Sequence, residues 1–111
     1  MTITWNDFEK VEMRVGTIVE VEEFPEARQP AYKLSIDFGP DLGMKKSSAQ
    51  ITKRYTPSDL IGRQIVAVVN FPKKQIATLM SECLVLGAVG ENNDIVLLHP
   101  GLEVKNGLRI G

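Results

Sequence analysis

Few residues of this chain are equipped for chemistry, and their spacing favours binding over catalysis. His99 is the only histidine, it precedes a proline, and no second ligand-type residue stands beside it at metal-binding spacing. Ser81-Glu82-Cys83 brings a hydroxyl, a carboxylate and a thiol together in sequence. Neighbours on a strand point to opposite faces, however, so the three cannot form a relay. Gly39 and Gly43 are not followed by Lys-Ser/Thr in the register of a phosphate loop, and Lys45-Lys46-Ser47 is only a near-miss. The sequence therefore predicts no catalytic residue, no metal site and no cofactor.

The remaining polar and apolar residues describe a binding surface. Ser48, Gln50 and Thr52 alternate along one face of an extended segment. A second segment carries Asn70, Phe71, Pro72 and Lys73-Lys74 and ends in Leu79-Met80-Ser81. Methionine and leucine suit varied apolar ligands because their side chains repack at little cost, although either could instead plug the end of a barrel. The net charge of −1 conceals a strong segregation. Residues 1–41 hold nine acids and four bases, net −5, and residues 82–111 hold four acids and two bases, net −2. Between them, residues 42–81 hold seven bases (Lys45, Lys46, Lys53, Arg54, Arg63, Lys73, Lys74) against Asp59 alone, net +6. Such a distribution can present a one-sided positive field despite the balanced total, unless folding sets the acidic third beside the basic one.

The elements that must position these residues read as mainly β. Ile65–Val69 and Cys83–Gly87 are continuous apolar runs, predicting strands covered on both sides as in a small closed barrel. Asn70 and Pro72 end the first run, and the segment up to Ser81 is expected to be a loop at the barrel mouth. Upstream, Thr4-Trp5-Asn6-Asp7 predicts a short capped helix. A long strand follows over residues 11–24, with a bulge or bend expected at Gly16. After the loop Pro25–Pro30 come a half-buried strand Tyr32–Phe38 and a third strand Lys46–Ile51. Thr56-Pro57-Ser58-Asp59 with Gly62 predicts a single helical turn. Glu91–Asp94 is a turn before Ile95–Leu98, and Pro100–Gly111 an ordered tail. Five strands, a short helix between the third and fourth, and a glycine in the first match the five-stranded OB-fold barrel, with N- and C-terminal extensions. A different small barrel or a sandwich has the same strand count.

At 111 residues the chain fits one domain, 1–111, with its barrel core over about residues 11–88. No apolar run approaches the ~20 residues of a membrane span. The start MTITWNDFEK has no basic region and no apolar signal core, and Cys83 has no partner for a disulfide; both predict a cytoplasmic location. Ile3, Trp5, Phe8, Leu102, Val104, Leu108 and Ile110 make the two ends more apolar than one small barrel can hide, which predicts a homodimer built on the extensions.

Several motifs together resemble the tRNA-binding-domain family typified by endothelial monocyte-activating polypeptide II. They are Arg14-Val15-Gly16-Thr17-Ile18, Pro25-Glu26-Ala27 leading to Tyr32-Lys33-Leu34, Asp37-Phe38-Gly39, Ser48-Ala49-Gln50, and Asn70-Phe71-Pro72 through Met80-Ser81. SSAQITKRYTP, IGRQIVAVVNFP and KQIATLMSECLVLG are similar to the CsaA branch of that family. The resemblance implies an OB-fold homodimer, affinity for tRNA, and a chaperone role holding unfolded or precursor proteins destined for export, with the export machinery as a further partner. It also leaves open a dedicated tRNA-binding module or a cofactor of tRNA aminoacylation. On this basis the tRNA-binding candidates are Lys45, Lys46, Lys53, Arg54, Lys73 and Lys74. The peptide-binding candidates are Ser48, Gln50, Asn70, Phe71, Leu79, Met80 and Ser81. The wider family favours Ser-Gly-Leu where Ser48-Ala49-Gln50 stands, a glycine near Thr78, and more bases where Gln75, Ile76 and Ala77 stand; these departures favour the peptide.

Overall fold

A computed structural model describes residues 1–111. Five antiparallel strands form the main sheet: β1 (Met13–Glu23), β2 (Tyr32–Asp37), β3 (Met44–Ala49), β4 (Gln64–Val68) and, beyond an excursion of the chain, β7 (Leu84–Val85). Their order in the sheet is β3-β2-β1-β4-β7. The two ends of this order meet. Glu82 donates its N–H to the Lys46 carbonyl at 2.8 Å, and the Ser47 hydroxyl reaches the Cys83 carbonyl at 2.8 Å. The sheet is thus a nearly closed barrel of the OB-fold type, as the strand pattern predicts.

The core follows from alternation. Leu34, Ile36 and Phe38 are buried with Ile18, Ile65, Ala67, Cys83 and Leu97, and Leu60 from the short helix α2 (Pro57–Leu60) closes one end. That helix begins as predicted: the Asp59 carboxylate accepts from the Thr56 N–H and hydroxyl, both at 2.9 Å. These bonds hold Asp59 below the usual carboxylate range. At the N-terminus, α1 (Trp5–Glu9) is capped by Thr4, whose hydroxyl and N–H pair with Asp7. None of its residues is buried.

Gly16 has a different task from the one its position implied. The register of β1 against β2 slips between Ile18 and Glu20, so the extra residue is Val19 and the change of phase falls there. Gly16 faces inward, where a Cβ would lie 2.7 Å from Ile36 Cγ2 and 2.8 Å from the Phe38 ring. It is glycine because Phe38 fills its place. The edge of β1 that β2 leaves free at Met13–Gly16 is met by the C-terminal segment. Gly107 and Ile110 donate to the Val15 and Met13 carbonyls, and Val15 donates to Leu108. Arg14 clamps this contact, binding the Gly107 carbonyl at 2.9 Å and Glu12 Oε1 at 2.6 Å. A free strand edge is thereby paired.

Three further segments depart from the expected pattern. The third strand runs Met44–Ala49 rather than 46–51, leaving Ile51 buried beyond its end. The run Cys83–Gly87 is not one strand buried on both sides. It divides into β7, with Leu84 largely exposed, and β8 (Gly87–Val89), which pairs with β9 (Ile95–Leu97). The segment before it is a hairpin, β5 (Lys74–Ile76) and β6 (Leu79–Ser81).

Gly16→Ala is expected to destabilise the fold by about 1–3 kcal/mol, the cost of overpacking a tight core. In a Phe38→Leu background the same change should cost clearly less, because the ring that occupies the space is gone. Urea denaturation of the four proteins measures this coupling, and strictly additive losses would disprove the packing account.

Candidate functional site

The outer face of β3 lies between two projections. On one side is the loop joining β1 to β2, and on the other the β5–β6 hairpin. A small second core holds the two together: Phe24, Ala31 and Leu79 are buried, with Ala27 and Ile76 packed against them. Above this cluster runs an open cleft of about 760 Å³ lined by Arg28, Gln29, Ser48, Gln50, Lys74 and Gln75 among others. A second cleft of about 460 Å³ adjoins it, sharing Ser48, Lys74 and Ile76 and adding Phe71, Pro72, Lys73, Ser81, Cys83 and Leu84. Together they form one groove. Its lining contains three bases (Arg28, Lys73, Lys74) and no acid.

The predicted site residues are thereby sorted. Ser48, Gln50, Phe71, Lys73, Lys74 and Ser81 come together in the groove. Lys46 lies on the same outer face of β3 but in a neighbouring depression with Glu20, Glu22 and Lys33, where opposite charges offset it. Lys45 is half-buried on the inner side, close enough to Cys83 to act on its thiol. Lys53 and Arg54 belong to another surface. Lys53 Nζ donates to the Asn92 carbonyl at 2.8 Å, and the Arg54 guanidinium grips both oxygens of Asp94. This fork raises Arg54 and holds Asp94 below the usual carboxylate range.

Three of the peptide-contact candidates lie outside the groove lining. Leu79 is only 7% exposed and belongs to the second core, under the groove and not on it. Met80 pairs with Gln75 across the hairpin; it is exposed, but it lines neither cleft. Asn70 is a bracket: its side chain accepts from the Glu12 N–H at 3.0 Å and donates to the Lys10 carbonyl at 2.6 Å. Without knowing the hairpin register, no rule of spacing could separate Ile76, which lines the groove, from Met80, which does not. Arg28 is the functional candidate that the sequence reading passed over. Its signal was a single base in the short loop PEARQP, in a third of the chain dominated by acids.

Two polar contacts fix the groove to the barrel. Glu82 accepts the Lys46 N–H through Oε1 at 3.0 Å and faces Lys73 Nζ through Oε2 at 3.6 Å. Ser47, the one buried polar residue, donates to the Cys83 carbonyl, which also receives the Ser81 hydroxyl at 3.3 Å. Burial pushes the Cys83 thiol up to about 11, so at neutral pH it is a protonated, apolar filler rather than a nucleophile. His99 is exposed, and its Nδ1 donates to the Pro100 carbonyl at 2.8 Å.

The family model described as "Putative tRNA binding domain" matches residues 13–109. The crystal structure of the chaperone CsaA from Bacillus anthracis str. Ames is similar at 58% identity and TM-score 0.95, over 100% of both chains. The CsaA chaperone protein from Picrophilus torridus is 52% identical with TM-score 0.93, over 99% of this chain and 100% of that one. The methionine–tRNA ligase of Porphyromonas gingivalis is 32% identical over 108 residues, 97% of this chain but 15% of the ligase.

Removing the Ser47 hydroxyl (Ser47→Ala) should cost about 1 kcal/mol, because Ser81 still serves the Cys83 carbonyl. Removing both hydroxyls strands that carbonyl and should cost more than the two single losses added together, up to about 3 kcal/mol. Denaturant titration of the four proteins decides it, and a double variant as stable as either single one would show that closure does not rest on these bonds.

Proposed function

The chain belongs to the tRNA-binding-domain family, and from that premise we propose that it is a CsaA-type chaperone that holds unfolded or precursor polypeptides and also binds tRNA, both in the groove over β3. The observation that carries this reading is a lining with three bases, an exposed aromatic and no acid, at the place where OB-fold barrels take oligonucleotides. Phosphates would meet Arg28 and Lys74, with Lys73 beside them engaged by Glu82. Extended polypeptide would lie along Phe71, Pro72, Ile76 and Leu84. Leu79 is buried and Met80 lies off the groove, which supports a single shared site for the two ligands. The proposed role is binding, without catalysis, in the cytoplasm and in the service of export.

The protein is further proposed to act as a homodimer. Trp5 is 81% exposed and Leu102 82% exposed, and Ile3, Thr4, Trp5 and Phe8 line an open apolar depression. Burying such residues against a second copy is worth about 25 cal/mol for each Å² removed from water. Light scattering at micromolar concentration should give twice the chain mass, and Trp5→Asp should give a folded monomer. A monomeric wild-type protein would contradict the proposal.

The test of ligand sharing is competition. Unfolded precursor polypeptide should displace bound tRNA, and tRNA affinity should fall about 10-fold for a fourfold rise in salt if Arg28 and Lys74 both meet phosphates. Arg28→Glu with Lys74→Glu should weaken tRNA binding far more than Lys53→Glu with Arg54→Glu. Simultaneous, independent binding of both ligands would refute the shared groove, and salt-independent tRNA binding would refute the phosphate contacts.

A further inference from the structure

Phe71 lies outside both buried clusters, and the residues on either side of it are constrained. The ring is 55% exposed. Immediately before it, Asn70 is bound through its side chain to the backbone of Lys10 and Glu12. Immediately after it, Pro72 has its φ fixed by its own ring. A large apolar ring held in water on a rigid support is prepared for a flat partner, since little freedom is left to lose on binding. The charges beside it are specific too. Lys73 is engaged with Glu82 at 3.6 Å, whereas Lys74 forms no ion pair and lines both clefts. Ser48 and Ser81 line the same cleft as Phe71.

Building on the RNA reading above, we infer that the second cleft takes one unstacked base of a single-stranded RNA segment, its face on Phe71 and its phosphate at Lys74. Ser48 and Ser81 supply hydrogen bonds to the base edge. RNA is favoured as occupant because an aromatic face stands beside a lysine without an ion pair, with no acid in the lining. Nucleic acids offer π-faces and phosphates at the same short spacing, and stacking of this kind tolerates any base. Duplex RNA hides the faces of its bases, so the ring would gain nothing from it. Lys74, not Lys73, is the phosphate contact, because Glu82 already offsets Lys73.

The experiment uses the full chain with two RNAs of equal length, a single-stranded oligonucleotide carrying a fluorescent adenine analogue and a blunt duplex. Phe71→Ala should weaken the single strand about 5- to 100-fold, relieve the quenching of the analogue, and leave the slope of log affinity against log salt unchanged. Phe71→Trp should restore the affinity. Lys74→Gln should lower that slope by about 0.7, the value for one phosphate on a single strand, and Lys73→Gln should change it much less. Because the ring is exposed, thermal melting of Phe71→Ala should match the parent, which separates a binding loss from a folding loss. If Phe71→Ala is neutral and the duplex binds as well as the single strand, the stacking site is wrong. In that case Lys74→Gln would still lower the salt slope for as long as the broader RNA reading holds. If neither substitution affects RNA but Phe71→Ala weakens unfolded polypeptide, the cleft is a peptide site, and the inference falls together with the RNA reading of the groove.

Discussion

The barrel closes where β3 meets residues 82 and 83, and the position of everything near the groove depends on that seam. Backbone and side-chain groups are both used: the Glu82 N–H on the Lys46 carbonyl, the Glu82 carboxylate on the Lys46 N–H, and the Ser47 hydroxyl on the Cys83 carbonyl. A strand edge left open would expose unpaired amides and carbonyls to any passing chain. Here the edge is met by the residues that follow the β5–β6 hairpin, so closure of the fold and placement of the hairpin are one event. The hairpin then leans on the loop after β1 through Phe24, Ala31 and Leu79, and the space between them over β3 becomes the groove.

The same seam sets the electrostatics. Glu82 stands between Ser81 and Cys83 of the groove lining, and its two oxygens are occupied by the Lys46 N–H and Lys73. Two acids of the first third, Glu20 and Glu22, line the neighbouring depression with Lys33 and Lys46. Lys33 lies 3.5 Å from Glu22 and over the Phe24 ring. The cancellation of charge is therefore local. Arg28 and Lys74 line the groove while Lys46 lies beside Glu20 and Glu22, an arrangement that the linear charge profile does not distinguish from a uniformly basic face.

The architecture was legible because its signals are short-range. Strict alternation in Tyr32–Phe38, the apolar run at Ile65–Val69, and the Thr/Asp caps at Thr4 and Thr56 each report a local period or a local hydrogen bond. What escaped depends on contacts between distant residues. Gly16 has the sequence signature of a bend because it lacks a side chain, while the space for one is taken by Ile36 of β2 and by Phe38 just past its end. Leu79 and Met80 are adjacent and alike in sequence, and only the pairing of the hairpin decides which of them is core. Lys53 and Arg54 carry the same charge as Lys73 and Lys74, but Asn92 and Asp94 hold them to a turn some forty positions further along. Composition gives the sign of a site's charge; topology decides which bases belong to it.

The central claim is that the groove between the loop after β1 and the β5–β6 hairpin is where ligands bind. It is tested most directly by adding tRNA to isotopically labelled protein and following each backbone amide by NMR. The account predicts that perturbations concentrate at Arg28, Gln29, Ser48, Gln50, Phe71 and Lys73 to Ala77. Perturbations confined to Lys53, Arg54 and Glu91 to Asp94, or to the terminal segments, with the groove amides unmoved, would contradict it.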